Sequence, residues 1–281
     1  MSGNPRRLLA AAVVPGVIAA AMLAGSGAAG ASTGTAEISP EQAGYTATGA
    51  QFKNITATTF LRQQDQYAGE VATLGHSVQL WSSGQVVTVG VTAATASGGY
   101  TTYATIYNRI THQVIASNPN AQSCDPDDNC SSEPITLDTG DYLTMTISYS
   151  PAADLVIMTA DYGDGSTFTS YATITEPPQT FTEARVGTDF GSSPWDGSYS
   201  YTPPAKYVKI AAYTNVTLTT YSGHTATLWS WWVHHKLLAN TEQQSGSDWV
   251  AVPTDLSSGG ASFQTLFVPQ SAQGPDQPAP S

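Results

Sequence analysis

From Tyr45 to Val268 the chain repeats one pattern, a short stretch of alternating apolar and polar residues followed by a turn. The stretches are Phe52–Phe60, Val86–Val91, Tyr100–Tyr107, Tyr142–Tyr149, Leu155–Ala160 and Phe168–Ile174. They continue with Ala184–Phe190, Tyr207–Ala212, Val216–Tyr221, Leu228–Leu238, Trp249–Val252 and Phe263–Val268. Successive side chains of a strand point to opposite sides, so a period of two marks strands with one buried face. Glycine turns such as Thr139-Gly140-Asp141 and Ser258-Gly259-Gly260 punctuate them. Helical periodicity is scarce. Many short strands at this spacing predict an all-β chain, a single-domain sandwich or barrel. That domain spans residues 45–268. Residues 32–44 read as a linker, and residues 269–281, with Pro275, Pro278 and Pro280, as a disordered Pro-rich tail.

Charge narrows the function. Lys and Arg number 9 against 21 Asp and Glu, a net charge of −12, and charged residues are only 11% of the chain. A nucleic-acid partner needs a basic footprint, which this chain lacks. With 41% hydrophobic and 10% aromatic residues it has ample material for a core. Arg6 and Arg7 followed by the apolar run Leu8–Leu23 and the small residues Ala29-Gly30-Ala31 read as a secretory signal peptide, residues 1–31. The run is short for a membrane span and holds Pro15. No second apolar run follows, so a secreted, extracellular protein without a membrane span is expected. The two cysteines, Cys124 and Cys130, then predict a disulfide closing a small loop. Asp125, Asp127, Asp128 and Asn129 inside it could offer oxygens to calcium. A solvated acidic turn is the preferred reading. Adjacent His234 and His235 point to opposite faces and make poor joint ligands, so no metal and no cofactor is expected.

Several segments, in order, resemble the secreted glutamic peptidases (the eqolisin, or G1, family). Phe52–Phe60 is similar to that family's first long strand. Val87–Val91 followed by Tyr100–Tyr107 resembles the strand pair around its catalytic Gln, and Gly140–Ile147 its Gly-Asp-initiated strand. Ala184–Asp189 resembles the strand bearing its catalytic Glu, and Val216–Gly223 and Val252–Phe263 its closing strands. The resemblance implies an antiparallel β-sandwich of concanavalin-like, jelly-roll type. It also implies a water held between a carboxylate acting as general base and a Gln amide stabilising the oxyanion. Carried over, the Glu position falls on Asp189, one methylene shorter, with Thr188 one residue away in register. The Gln position falls on Thr88, which has no amide. Gln79 or Gln85 could substitute only with a changed register. The pair is therefore altered in one half and missing in the other, which weighs against proteolysis.

Along the Asp189 strand, Glu183, Arg185, Gly187 and Asp189 share one face, and Ala184, Val186, Thr188 and Phe190 the other. The first is either a ligand-binding floor that poises Asp189 or a solvent face with an ordinary ion pair. Trp81, Trp195, Trp232, Tyr199 and Tyr201 are candidates to stack on a ligand, against the alternative of core packing. The reading is a catalytically degenerate, glutamic-peptidase-like protein with a binding or accessory role toward extracellular protein or polysaccharide. The alternatives are an active acid endopeptidase, with Asp189 as base and Thr88 or Gln79 as oxyanion donor, and a structural cell-surface protein. Convergence of Asp189 with a Gln amide within about 4 Å would favour the enzyme. Thr88 facing Asp189 alone would favour binding.

Overall fold

The structure is a computed structural model and describes residues 36–39, 42–61, 74–93, 99–174, 180–190, 210–228, 233–240 and 249–267. Trp195, Tyr199, Tyr201 and Trp232, together with the expected signal peptide and tail, lie outside them. The described strands in chain order are β1 (Ala36–Ser39), β2 (Gln42–Thr48), β3 (Phe52–Phe60), β4 (Leu74–Trp81), β5 (Gln85–Ala93), β6 (Tyr100–Asn108) and β7 (Gln113–Ser117). Next come β8 (Gln122–Cys124), β9 (Cys130–Ser131), β10 (Thr136–Leu137), β11 (Tyr142–Ser150), β12 (Leu155–Tyr162), β13 (Thr167–Thr173) and β14 (Glu183–Phe190). Last are β15 (Ile210–Thr220), β16 (Thr225–Ala226), β17 (Val233–Asn240), β18 (Trp249–Pro253) and β19 (Phe263–Phe267). Among the described residues there is one turn of 3-10 helix, Ser258–Gly260, and no helix long and apolar enough to cross a membrane.

The strands form an antiparallel sandwich. In the first layer the pairing runs β7, β6, β5, β4, β14, β2, β17. In the second it runs β13, β12, β11, β3, β15, β19. β18 pairs with both β17 and β19 and so joins the layers, while β1 adds to β17 as the parallel exception. Period two supplies the core. Tyr45, Val78, Leu80, Val87, Val89, Val91, Ala184 and Val186 point inward from the first layer. They meet Ile55, Ala57, Leu143, Met145, Ile147, Val156 and Met158 from the second, all essentially without exposure. Full burial of each large aliphatic chain contributes roughly 1.5–3 kcal/mol.

Three strands depart from the sequence reading. β1 and β2 begin inside the stretch read as a linker, so sheet pairing starts well before Tyr45. β4 carries glycine, serine and glutamine on its outward side and a histidine inward, which breaks its apolar alternation. These two, β2 and β4, flank β14 on either side. The cysteines meet expectation: Cys124 and Cys130 form a disulfide joining β8 to β9.

Candidate functional site

β14 turns Glu183, Arg185, Gly187 and Asp189 away from the core cluster. Their register partners are Trp81, Gln79, Ser77 and Gly75 on β4, with Thr46, Gly44 and Gln42 on β2 opposite Arg185, Gly187 and Asp189. On β5, Thr88 pairs with Gln79 and Gly90 with Ser77. On β6, Tyr103 pairs with Gly90. One row thus runs Gly44, Gly187, Ser77, Gly90, Tyr103 across five strands. A side-chain carbon on Gly44 would come 2.0 Å from the Val186 carbonyl oxygen, and one on Gly187 2.3 Å from that of Ala43. The strands approach so closely there that only glycine fits. The result is a recessed polar floor: Gln42, Ser77, Gln79 and Thr88 are 0–4% exposed although they face away from the core.

Asp189 sits in this floor, part-buried. The Gln42 amide donates to its Oδ1 at 2.9 Å, and the Tyr103 hydroxyl to its Oδ2 at 3.2 Å. The Ser77 hydroxyl lies near enough to favour the charged form as well. Burial pushes the carboxyl up to about 6, against the opposing pull of these three groups. The network continues from Ser77. Its Oγ accepts from the Gln42 amide at 3.3 Å and the Gln79 amide at 3.2 Å. Gln79 Oε1 in turn accepts from the Trp81 indole N–H at 2.7 Å. Polar side chains are therefore linked from Trp81 to Asp189.

This places the residues singled out in the sequence. Thr88 does not face Asp189. It lies two strands away beside Gln79, roughly 16 Å distant at strand spacings of about 4.8 Å and 3.3 Å per residue. Its buried hydroxyl has no hydrogen-bond partner. Gln79 meets Asp189 only through Ser77. Gln85 is buried at the start of β5 and is no neighbour of Asp189. Arg185 turns to Glu183, its Nε donating to Oε1, and stacks on Trp81. Glu183 also accepts from the Thr46 hydroxyl at 3.0 Å. The amide that does reach Asp189 belongs to Gln42, and with Tyr103 it is the residue that reasoning from the sequence missed. Its signal was weak: Gln42 opens a strand inside the stretch read as a linker and lies 147 residues from Asp189 in sequence.

Behind the floor, on the core side, His76 Nδ1 and Thr188 Oγ1 each lie 2.8 Å from the Tyr213 hydroxyl. Burial lowers the His76 pKa to about 4. Among the described residues no group of three His, Cys, Asp or Glu side chains is placed to hold a metal ion.

No protein-family model matches this chain, and no curated protein does. Solved structures do. Scytalido-glutamic peptidase with a transition-state-analogue inhibitor has a TM-score of 0.58 at 14% identity, covering 82% of this chain and 98% of the other. The same peptidase with a peptide-based transition-state analogue gives 0.57 with the same identity and coverage. SCP-B, a member of the eqolisin family of peptidases, in complex with the tripeptide Ala-Ile-His, gives 0.55, again at 14% identity and the same coverage. At this identity the likeness is one of fold: the chain is a β-sandwich of the glutamic-peptidase type.

Proposed function

We propose that this chain is a secreted protein that binds an extended polypeptide segment across the polar face of its first layer and does not cut it. The observation that carries this reading is the state of the Gln42 amide beside Asp189. A general base must have a free lone pair for water, and an oxyanion donor must have a free N–H. Here each carboxylate oxygen accepts from one protein donor and keeps a lone pair, but the Gln42 amide spends both its N–H groups on Asp189 and Ser77 and has none left for an oxyanion. The ionisation points the same way. Burial raises the Asp189 pKa to about 6, so the carboxylate that a base must supply is largely protonated in acid. Structural relatives solved with peptide-based ligands, including a tripeptide, support a polypeptide as the occupant. The disulfide and the export-like N-terminal sequence support secretion.

One observation favours a second reading. A Gln amide and a carboxylate stand within hydrogen-bond reach of each other, as an endopeptidase with Asp189 as base and Gln42 as oxyanion donor requires. Incubation of the mature protein with denatured casein from pH 2 to 8, beside Asp189→Ala, separates the two. No cleavage at any pH, with retention of unfolded casein on the immobilised protein, is expected. Cleavage that Asp189→Ala abolishes overturns the binding reading. Retention of an insoluble polysaccharide instead of casein overturns the choice of ligand. Retention of neither leaves a structural surface protein.

A further inference from the structure

We propose that the rim formed by Trp81, Arg109 and Arg185 is a subsite for a carboxylate of the bound polypeptide, an inference that rests on the polypeptide-binding reading above. Among the described residues three Lys or Arg side chains are placed, those of Lys53, Arg109 and Arg185, in a chain of net charge −12. Two of the three converge on one indole. The Arg185 guanidinium carbon lies 3.9 Å and that of Arg109 4.8 Å from the Trp81 ring centroid. The indole is fixed by its N–H bond to Gln79 and by packing on Val86 and Tyr107.

The two arginines are not equivalent. Arg185 is compensated by Glu183. Arg109 is exposed and, among the described residues, has no acidic partner; its Nη1 donates to the Ser82 carbonyl at 2.7 Å. A guanidinium stacked on a ring uses its face and leaves its edge, which presents N–H donors in the fork that matches a carboxylate. Among the described residues the rim therefore carries one uncompensated positive charge, with a donor edge held in place by the stack and the Ser82 bond.

The position suits a chain lying along the strands. Trp81 pairs with Glu183, and Asp189 is six residues further along β14, roughly 20 Å at about 3.3 Å per residue. An extended segment of about six residues can thus set a carboxylate on Arg109 and its other end beside the partly buried Asp189. That carboxylate can come from an acidic side chain or from a C-terminus.

The test uses the mature protein and fluorescent decapeptides of Ala, Gly, Ser and Val read by anisotropy at low salt. One carries a central Glu and an amidated end, one a central Gln and an amidated end, and one a central Gln and a free carboxyl end. The Glu or free-carboxyl peptide should bind about tenfold more tightly than the neutral one, and which of them does so identifies the source of the carboxylate. Arg109→Gln should erase the preference and Arg109→Lys keep part of it. Salt at 0.5 M should shrink it, since an exposed pair is screened. Equal affinity for all three peptides, or a preference that survives Arg109→Gln, overturns the subsite while leaving the polypeptide reading intact. No binding of any peptide overturns both.

Discussion

Two buried titratable groups of the first layer oppose each other in their response to pH, and removing either should expose the other. Asp189 and His76 sit in adjacent register rows, Asp189 opposite Gly75 and His76 opposite Thr188, on opposite faces of the sheet. Burial raises Asp189 from 3.8 to about 6 and lowers His76 from 6.5 to about 4. Between pH 3.8 and 6 the folded state holds the Asp189 proton more tightly than the unfolded chain. The stability this confers is fully present below 3.8 and is lost as pH rises through 6. His76 has the reverse sign: the folded state refuses its proton, so stability present above 6.5 is lost as pH falls toward 4. Each shift of slightly over two pH units corresponds to roughly 3 kcal/mol, with slopes of about 1.4 kcal/mol per pH unit that cancel between pH 4 and 6. Urea unfolding at pH 3.5, 4, 5, 6 and 7 measures this. Relative to the parent, Asp189→Asn should gain up to about 3 kcal/mol as pH rises from 4 to 6. His76→Gln should gain a similar amount as pH falls over that range. The double variant should run parallel to the parent. Constant offsets from lost hydrogen bonds do not matter, because only the slopes are read. Single-variant curves parallel to the parent across this window would refute the assignment of buried carboxyl and neutral imidazole.

The glycine row and the disulfide give two further tests by urea midpoint at pH 7. Gly187→Ala places a carbon 2.3 Å from the Ala43 carbonyl oxygen, where backbone must move, so a loss of about 3 kcal/mol or more is expected. Gly163→Ala, whose nearest neighbour would be 3.8 Å away, should stay within about 1 kcal/mol; equal effects would refute the close-approach argument. Replacing Cys124 and Cys130 by serine opens a loop with a sequence separation of 6. About 2 kcal/mol should be lost if closure of the unfolded chain dominates, and an unchanged midpoint would show that the β8–β9 hairpin holds its ends together without the bond.

The second layer was legible because its strands are ordinary amphipathic ones. β3, β11, β12 and β13 alternate buried and less buried residues along most of their length, and such alternation can be read directly. The first layer is harder to read, because around β14 both of its faces are buried. Gln42, Ser77, Gln79 and Thr88 are as hidden as a core residue, so polarity no longer marks the outside. Asp189 was visible as a carboxylate on the right strand. Its partners were not. Gln42 lies 147 residues away in sequence and Tyr103 86, and no local pattern couples residues across such separations. Fitting Thr88 to the Gln position failed for a related reason. The register of β4 between β5 and β14 decides which residues align, and β4 itself lacks an apolar signature.

The polar network under the floor also has a direction. The Trp81 indole can only donate, so Gln79 must present its carbonyl to the indole and its amide to Ser77. Ser77, already accepting from Gln79 and Gln42, keeps one proton to place, with the Asp189 carboxyl and the Tyr103 hydroxyl beside it. From Trp81 to Ser77 the dipoles align head to tail, and the Gln42 amide points its N–H groups at both Ser77 and the carboxylate. When Asp189 gains a proton it becomes a donor in a ring of donors, and something must turn over. Gln79 is locked by an indole that cannot reverse. The Ser77 hydroxyl, a single rotor, is the joint where the run changes sense: on one side of it the orientation is permanent, and on the other it is set by one proton.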